Sequence, residues 1–278
     1  MAAKKQSEPT RFLALYDIHI GREYKRSAYA WPKRQELRNT HDLKALKIVR
    51  DFAADFQPNI VLLGGDQLNC GPISHWTRSK PRLTEGFRLR EEMDILNNEV
   101  LLPLEAIVRK TSKEKRRLIW LQGNHEAWID QYLDENPGLE GLVEPRYYLK
   151  LQERGWEFYE QGKIAKIGKI NWIHGDNVPN GAHACKRLAG NYRRNIRAGH
   201  RHTHEVCTDV TPIDKRDYHT AMYLPALCNT SPAYEKNSST NHQKGFDYGY
   251  TMDDGSFNDY VVIINNNSCI VNGKRYDA

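Results

Sequence analysis

Phe12-Leu13-Ala14-Leu15-Tyr16-Asp17-Ile18-His19 runs five apolar or aromatic residues straight into an aspartate and a histidine, and Ile60-Val61-Leu62-Leu63-Gly64-Gly65-Asp66 ends in a second aspartate. A short, unbroken apolar run bounded by turn residues is the pattern of a buried strand. Between the two runs, Leu43, Leu46, Val49, Ala53 and Phe56 keep a helical spacing, with Asn39 and Asp42 as candidate caps and Pro58 as the stop. Strand, helix and strand make a βαβ unit. Open α/β sheets bind ligands at the carboxyl ends of their strands, and both aspartates fall there.

The layout recurs along the chain. Leu118-Ile119-Trp120-Leu121 leads into Gly123-Asn124-His125-Glu126. The alternating stretch from Lys163 to Ile173, with a central glycine, predicts a hairpin whose second arm leads into His174-Gly175-Asp176. A helix through Ala184, Leu188 and Tyr192 precedes Ile196-Arg197-Ala198, which leads into Gly199-His200-Arg201-His202. Seven candidate ligands thus stand in five clusters, each where a strand runs into a loop. Carboxylate, amide and imidazole donors suit first-row divalent metals such as Mn, Fe, Ni or Zn rather than a thiolate site. Seven donors exceed what one ion with an open position uses, so two ions are expected.

The remaining segments read less sharply. Arg22 to Asn39 is polar and basic and reads as a loop. A long insertion from Cys70 to about Arg116 holds a helical pattern through Leu89, Met93, Leu96 and Val100 that Pro103 is expected to kink or end. Beyond His202 the chain turns β-rich, with a strand over Tyr260 to Ile264, a turn at Asn265-Asn266-Asn267 and a further strand at Cys269-Ile270-Val271. Gly245 to Tyr250 is expected to fold over the cleft and supply aromatic contacts. His200, His202 and His204 alternate, and on an extended strand all three would face one side.

With 278 residues, 39% hydrophobic and 27% charged, the chain can bury a substantial core, and one domain over 1–278 is expected, with a helical insertion at 70–116 and a β-rich segment at 203–278. The formal charge of +6 suits an anionic substrate. Five widely spaced cysteines with no Cys-x-x-Cys pair exclude a disulfide framework and a zinc ribbon, and point to a reducing, cytoplasmic compartment. The polar, basic stretch Met1 to Thr10 and the brevity of the apolar run after it argue against a signal segment or membrane span.

The order Asp-x-His, Gly-Asp, Gly-Asn-His-Glu, His-Gly and Gly-His-x-His, from Phe12 to His202, resembles the calcineurin-like metallophosphoesterases, with the insertion and the carboxyl-terminal segment most like their phage and prophage branch. The resemblance implies a four-layer αββα sandwich with a metal pair on loops between the sheets. It implies that Asp17, His19 and His202 hold one metal, that Asn124, His174 and His200 hold the other, and that Asp66 bridges them. A hydroxide between the metals would attack phosphorus, with His125 assisting the leaving oxygen.

Two departures bear on the substrate. The protein Ser/Thr phosphatase branch carries Gly-Asp-x-Val-Asp-Arg-Gly and Leu-Arg-Gly-Asn-His-Glu, where this chain has Gly65-Asp66-Gln67-Leu68-Asn69-Cys70-Gly71 and Leu121-Gln122-Gly123-Asn124-His125-Glu126. Both phosphate-gripping arginines are absent, which disfavours a dianionic monoester and leans toward phosphodiesters of nucleotide or nucleic-acid type. Asn69 replaces the aspartate that orients the catalytic histidine, and a neutral amide cannot raise an imidazole pKa as a carboxylate does. A phosphomonoesterase remains the alternative within the family, and a silent or nucleic-acid-binding module on the same fold the alternative outside catalysis. Arg78, Lys80, Arg82, Arg88 and Arg90 beside His75, Trp76 and Phe87 could track a nucleic-acid backbone, against the plainer reading of a solvated helix face over two core aromatics.

Overall fold

A computed structural model describes residues 8–26, 35–74, 77, 79–178, 181–210, 218–230 and 241–278. The opening run forms β1 (Thr10–Leu15), buried from its third residue onward. The segment read as a loop is instead an antiparallel hairpin of β2 (Arg22–Arg26) and β3 (Gln35–Asn39); residues 27–34 lie outside the described ones. Its arms lack the apolar run that marks a buried strand. They are held by an Arg38–Glu23 ion pair at 2.6 Å and by Tyr24 stacked on Phe87 at 5.1 Å between centroids.

α1 (Leu43–Phe56) is capped by Asp42, whose Oδ1 accepts the N–H groups of Lys44 and Ala45 at 2.9 and 3.1 Å; Asn39 ends β3 instead. Gln57, in the left-handed region, closes the helix one residue before Pro58. β4 (Ile60–Leu63) pairs in parallel with β1, as the βαβ reading requires. In the insertion, α2 (Leu89–Leu96) passes through a π turn over Asn97–Leu101 into α3 (Leu102–Val108). Pro103 neither ends nor breaks the helix, because the wide turn, with Leu102 N–H bonded to Asn97 O, relieves the clash a proline makes in regular α geometry.

β5 (Arg117–Leu121) leads into α4 (Asn124–Glu135), and after the single turn α5 (Pro145–Tyr148) comes β6 (Trp156–Tyr159). β7 (Ala165–Ile167) and β8 (Ile170–Ile173) form the expected hairpin about Gly168, whose φ of 56° explains the glycine. α6 (Ala184–Tyr192) crosses over to β9 (Ile196–Ala198), which lies parallel to β8. β10 (Glu205–Val210), β11 (Tyr218–Tyr223), β12 (Gly245–Thr251), β13 (Phe257–Ile263), β14 (Ser268–Val271) and β15 (Lys274–Asp277) complete the chain. The last of these carries no sequence pattern strong enough to announce it.

The strands make one six-stranded sheet in the order β13-β12-β1-β4-β5-β6 and one five-stranded sheet in the order β10-β11-β9-β8-β7. Their facing sides bury Phe12, Ala14, Leu62, Ile119, Trp172 and Leu224 between them. The outer face of the first sheet packs on α1 to α3, and α6 covers the outer face of the second. The result is the αββα sandwich.

The expectation that Gly245 to Tyr250 folds over the cleft is corrected. β12 lies inside the six-stranded sheet beside β1, with Asp247 opposite Ala14. Its aromatics alternate onto the helix side, where Phe246 and Tyr248 meet Phe52 at 4.9 and 5.0 Å between centroids. Period-two spacing puts them in a core, not on a lid. None of the described helices is long and apolar enough to cross a membrane.

Candidate metal centre

All five clusters emerge from the carboxyl ends of strands: β1 before Asp17, β4 before Asp66, β5 before Asn124, β8 before His174 and β9 before His200. The two sheets present these ends side by side, so residues such as His19 and His202, 183 positions apart in sequence, meet. His19 Nε2 lies 3.2 Å from His202 Nε2, and His202 Nε2 lies 3.5 Å from Asp17 Oδ1. On the other side, His174 Nε2 lies 3.0 Å from Asn124 Oδ1 and 3.3 Å from Asp66 Oδ2, and the His174 and His200 rings are 5.3 Å apart. Asp66 Oδ2 also lies 3.8 Å from both His19 Nε2 and His125 Nε2. One carboxylate oxygen therefore faces both groups, and all seven residues expected as ligands come together.

The backbone is bent to achieve this. Asp17, His19, Asp66, His200 and His202 all have φ between 48° and 68°. The left-handed region is sparsely used outside glycine, although aspartate and histidine tolerate it better than most. His200 and His202 accordingly sit in an irregular, bent loop rather than on a strand. His204 turns away, its Nδ1 3.1 Å from Tyr223 O and its N–H on Gln243, so the three histidines do not share one face.

Glu126 holds the loops in place. Its buried carboxylate accepts N–H groups from Asp66 at 3.0 Å, Leu68 at 2.8 Å and Gly123 at 2.9 Å. The last bond is the return arm of a helix-capping arrangement, so the start of α4 and the Asp66 loop are tied to one side chain. Gly123 is glycine because a Cβ there would overlap the Asp66 carboxylate.

The electrostatics call for positive charge. Burial alone would raise the Asp66 carboxyl, but the His174 and His125 charges outweigh it and hold it well below the ordinary range. Burial would lower His174, yet Asp66 overrides it and pushes the imidazole up to about 10. Protons thus supply here the charge that a cation would replace. Burial lowers His19 and His200, which favours the neutral imidazoles that metals need, and lowers His125 as well.

The residues fit a divalent metal pair. Metal bonds of about 2.1 Å put neighbouring donor atoms roughly 3.0–3.4 Å apart, and His19–His202, His174–Asn124 and His174–Asp66 fall in that range at 3.2, 3.0 and 3.3 Å. Asp17 Oδ1 is buried and has no hydrogen-bond partner, a costly state that a cation would relieve.

His125 stands at the rim. Its Nδ1 lies 2.8 Å from the backbone carbonyl of Asn69, and Trp128, one helical turn on, packs against its ring at 4.0 Å. The orienting group is therefore a main-chain oxygen, which no reading of side chains reveals. Sequence reasoning also missed Cys228, with Sγ 3.8 Å from His202 Nδ1, and His242, whose ring is 4.7 Å from that of His202. Neither has a spacing signal, since both reach the site through the fold of the carboxyl-terminal segment.

The basic insertion gives a mixed picture. His75, Trp76 and Arg78 lie outside the described residues. Phe87 is buried against Tyr24, and Arg90 bonds the Tyr148 hydroxyl at 2.9 Å and lies 3.8 Å from Asp94.

Among solved structures, Vps29 from Chaetomium thermophilum matches with 10% identity over 96% of this chain and 98% of its own, at a TM-score of 0.44. A dimetal phosphatase from Danio rerio matches with 11% identity over 92% and 96%, at 0.41, and the nuclease MPE of Pseudomonas putida with 13% over 86% and 84%, at 0.32. No curated protein matches the sequence. The family model of the calcineurin-like phosphoesterases matches residues 10–221, from β1 into β11. The chain belongs to the calcineurin-like phosphoesterase family and is a metal-dependent hydrolase of phosphoric esters.

Proposed function

We propose that the protein is a dinuclear phosphodiesterase, formed by the whole chain as one domain. In this reading Asp17, His19 and His202 hold one divalent cation, Asn124, His174 and His200 hold the other, and Asp66 bridges them. The observation that carries it is the Asp66 Oδ2 atom, within 3.8 Å of imidazole nitrogens from both groups. When bound, such a pair supplies Lewis acidity at the phosphoryl oxygens and acidifies water to near neutral pH. His125, with Nδ1 on the Asn69 carbonyl, keeps Nε2 directed to the site, where it can hydrogen-bond a leaving oxygen. A neutral carbonyl behind the ring does not raise its basicity as a carboxylate would, which favours esters whose leaving group needs little protonation.

The preference for diesters is supported by two arginines that adjoin ligand clusters in the chain. Arg201, between His200 and His202, is engaged with Glu205 at 3.1 Å and lies over the Tyr223 ring, and Arg22 is paired with Glu91 at 2.7 Å. Neither offers the bidentate grip that a dianionic monoester uses. The formal charge of +6 fits nucleotides or nucleic acids as the substrate class.

The test is steady-state hydrolysis of bis-p-nitrophenyl phosphate and p-nitrophenyl phosphate by chelator-stripped protein reloaded with Mn, Ni or Zn. Turnover restored by metal, larger for the diester and absent in Asp66→Ala, is the expected result. A preference for the monoester would overturn the substrate reading, and equal activity of Asp66→Ala would overturn the site.

A further inference from the structure

Tyr16 is nearly inaccessible, at 1% exposure, and lies directly behind the centre. Its own backbone continues into Asp17. Its hydroxyl donates to the carbonyl of Ile173 at 3.1 Å, the residue before His174. Its ring occupies the space a side chain at Gly64 would need: the three nearest atoms to a Cβ built there all belong to that ring, and Gly64 opens the turn that carries Asp66. A Cβ at Gly199, the residue before His200, would overlap the same ring and crowd Asp17 Oδ2. Neither glycine has a φ in the left-handed region, so backbone freedom does not explain them. The room taken by the ring does.

We propose that Tyr16 is a positioning residue of the metal centre, a single ring on which the loops bearing Asp66, His174 and His200 all rest and which sets their spacing. The inference rests on the ligand assignment proposed above. Three loops from two sheets have no covalent reason to keep donor atoms near 3 Å apart. A rigid aromatic wedged between their first residues supplies one, as groups behind metal ligands commonly do. Gly64 and Gly199 are then glycines on account of Tyr16, and a substitution at either position should depend on what stands at residue 16.

The experiment compares chelator-stripped wild type, Tyr16→Phe, Tyr16→Ala, Gly64→Ala and the double variant Tyr16→Ala/Gly64→Ala. Manganese uptake is followed by calorimetry, the exchange-coupled dinuclear signal by EPR, and the thermal midpoint on the metal-free samples. Tyr16→Phe keeps the ring and loses one hydrogen bond, so its metal-free midpoint should stay within about 4 °C of wild type. Its manganese affinity should stay within about threefold of wild type, whereas Tyr16→Ala, which removes the ring, should lose about tenfold, with an altered dinuclear signal. Gly64→Ala should lose more, and the double variant should bind manganese more tightly than Gly64→Ala alone. Unchanged affinity and signal in Tyr16→Ala, or no relief of Gly64→Ala by Tyr16→Ala, would overturn the proposal. Failure of wild type to take up two ions would overturn the ligand assignment and this inference together, whereas normal two-ion uptake with indifferent Tyr16 variants would overturn the inference alone.

Discussion

Replacing Glu126 by alanine strands three buried main-chain donors at once, those of Asp66, Leu68 and Gly123. An unsatisfied buried donor costs about 1–3 kcal/mol, so even with water entering the space the loss is at least about 3 kcal/mol. For a chain of this size that corresponds to a fall in the thermal midpoint of roughly 6–12 °C. Glutamine is the discriminating control. With its oxygen at the Oε2 position it keeps the Asp66 and Gly123 bonds and turns its amide donor toward the Leu68 N–H, so about one of the three is lost. Glu126→Gln should therefore fall by about 1–3 kcal/mol, clearly less than alanine. The assay is thermal and urea unfolding of chelator-stripped protein at about pH 5, where the Glu126 carboxyl, pushed up to about 8 by burial, adds little ionisation cost to wild type, and then manganese titration at neutral pH. Because the same bonds hold the Asp66 loop against α4, the affinity should fall in the same order. Equal destabilisation by alanine and glutamine, or a loss below about 1 kcal/mol for alanine, would refute the view that Glu126 acts through these bonds.

Separate parts of the molecule give further expected outcomes. Glu92 is buried and burial pushes its carboxyl from 4.5 up to about 8, so the folded state stays protonated where the unfolded chain ionises; stability is unaffected below about pH 4.5, declines up to about 8 and levels above that. Burial pushes Glu126 up to about 8 in the same way, so Glu92→Gln should remove only its own share of that decline and, after losing the bond from Cys70 N–H, gain on the order of 4 kcal/mol relative to wild type at pH 9, read by urea midpoints across pH. Asp42→Ala removes the α1 cap and the Lys244 ion pair, and should cost about 1–2 kcal/mol, a midpoint shift of roughly 2–8 °C by calorimetry. His125→Ala should slow a diester with an alkyl leaving group by about 10²–10⁴ but bis-p-nitrophenyl phosphate far less, a contrast read from a leaving-group series. Removing metal should lower the thermal midpoint, and added manganese should restore it in a concentration-dependent way.

The scaffold of the site is legible in the sequence because its physics is local. A strand buried on both faces must be apolar throughout, and the residues just past its end, at the sheet edge, are free to be polar, so β1, β4 and β5 announce both themselves and their clusters. β2 and β3 escape notice because a separate two-stranded hairpin needs only cross-strand pairs such as Glu23 with Arg38, which no short window reveals. Pro103 misleads because its effect depends on the hydrogen-bond register around it, and the π turn changes that register. Alternation groups His204 with His200 and His202 only where the backbone is extended, and here it is not. The side chain of Asn69 draws attention in the sequence, whereas its main-chain carbonyl is the group that meets His125. His242 and Cys228 arrive through contacts tens of residues or more from their partners and leave no periodic trace.

The five residues held at positive φ place the fold and the chemistry in competition for the same positions. Glycine would satisfy the backbone at each of them with less strain, yet it offers no donor atom. Sequences drifting under selection for solubility alone should accumulate glycine or asparagine at Asp17, His19, Asp66, His200 and His202, gaining stability as they lose the proposed ligands. A relative that has abandoned catalysis should therefore be recognisable by which residues it substitutes there first.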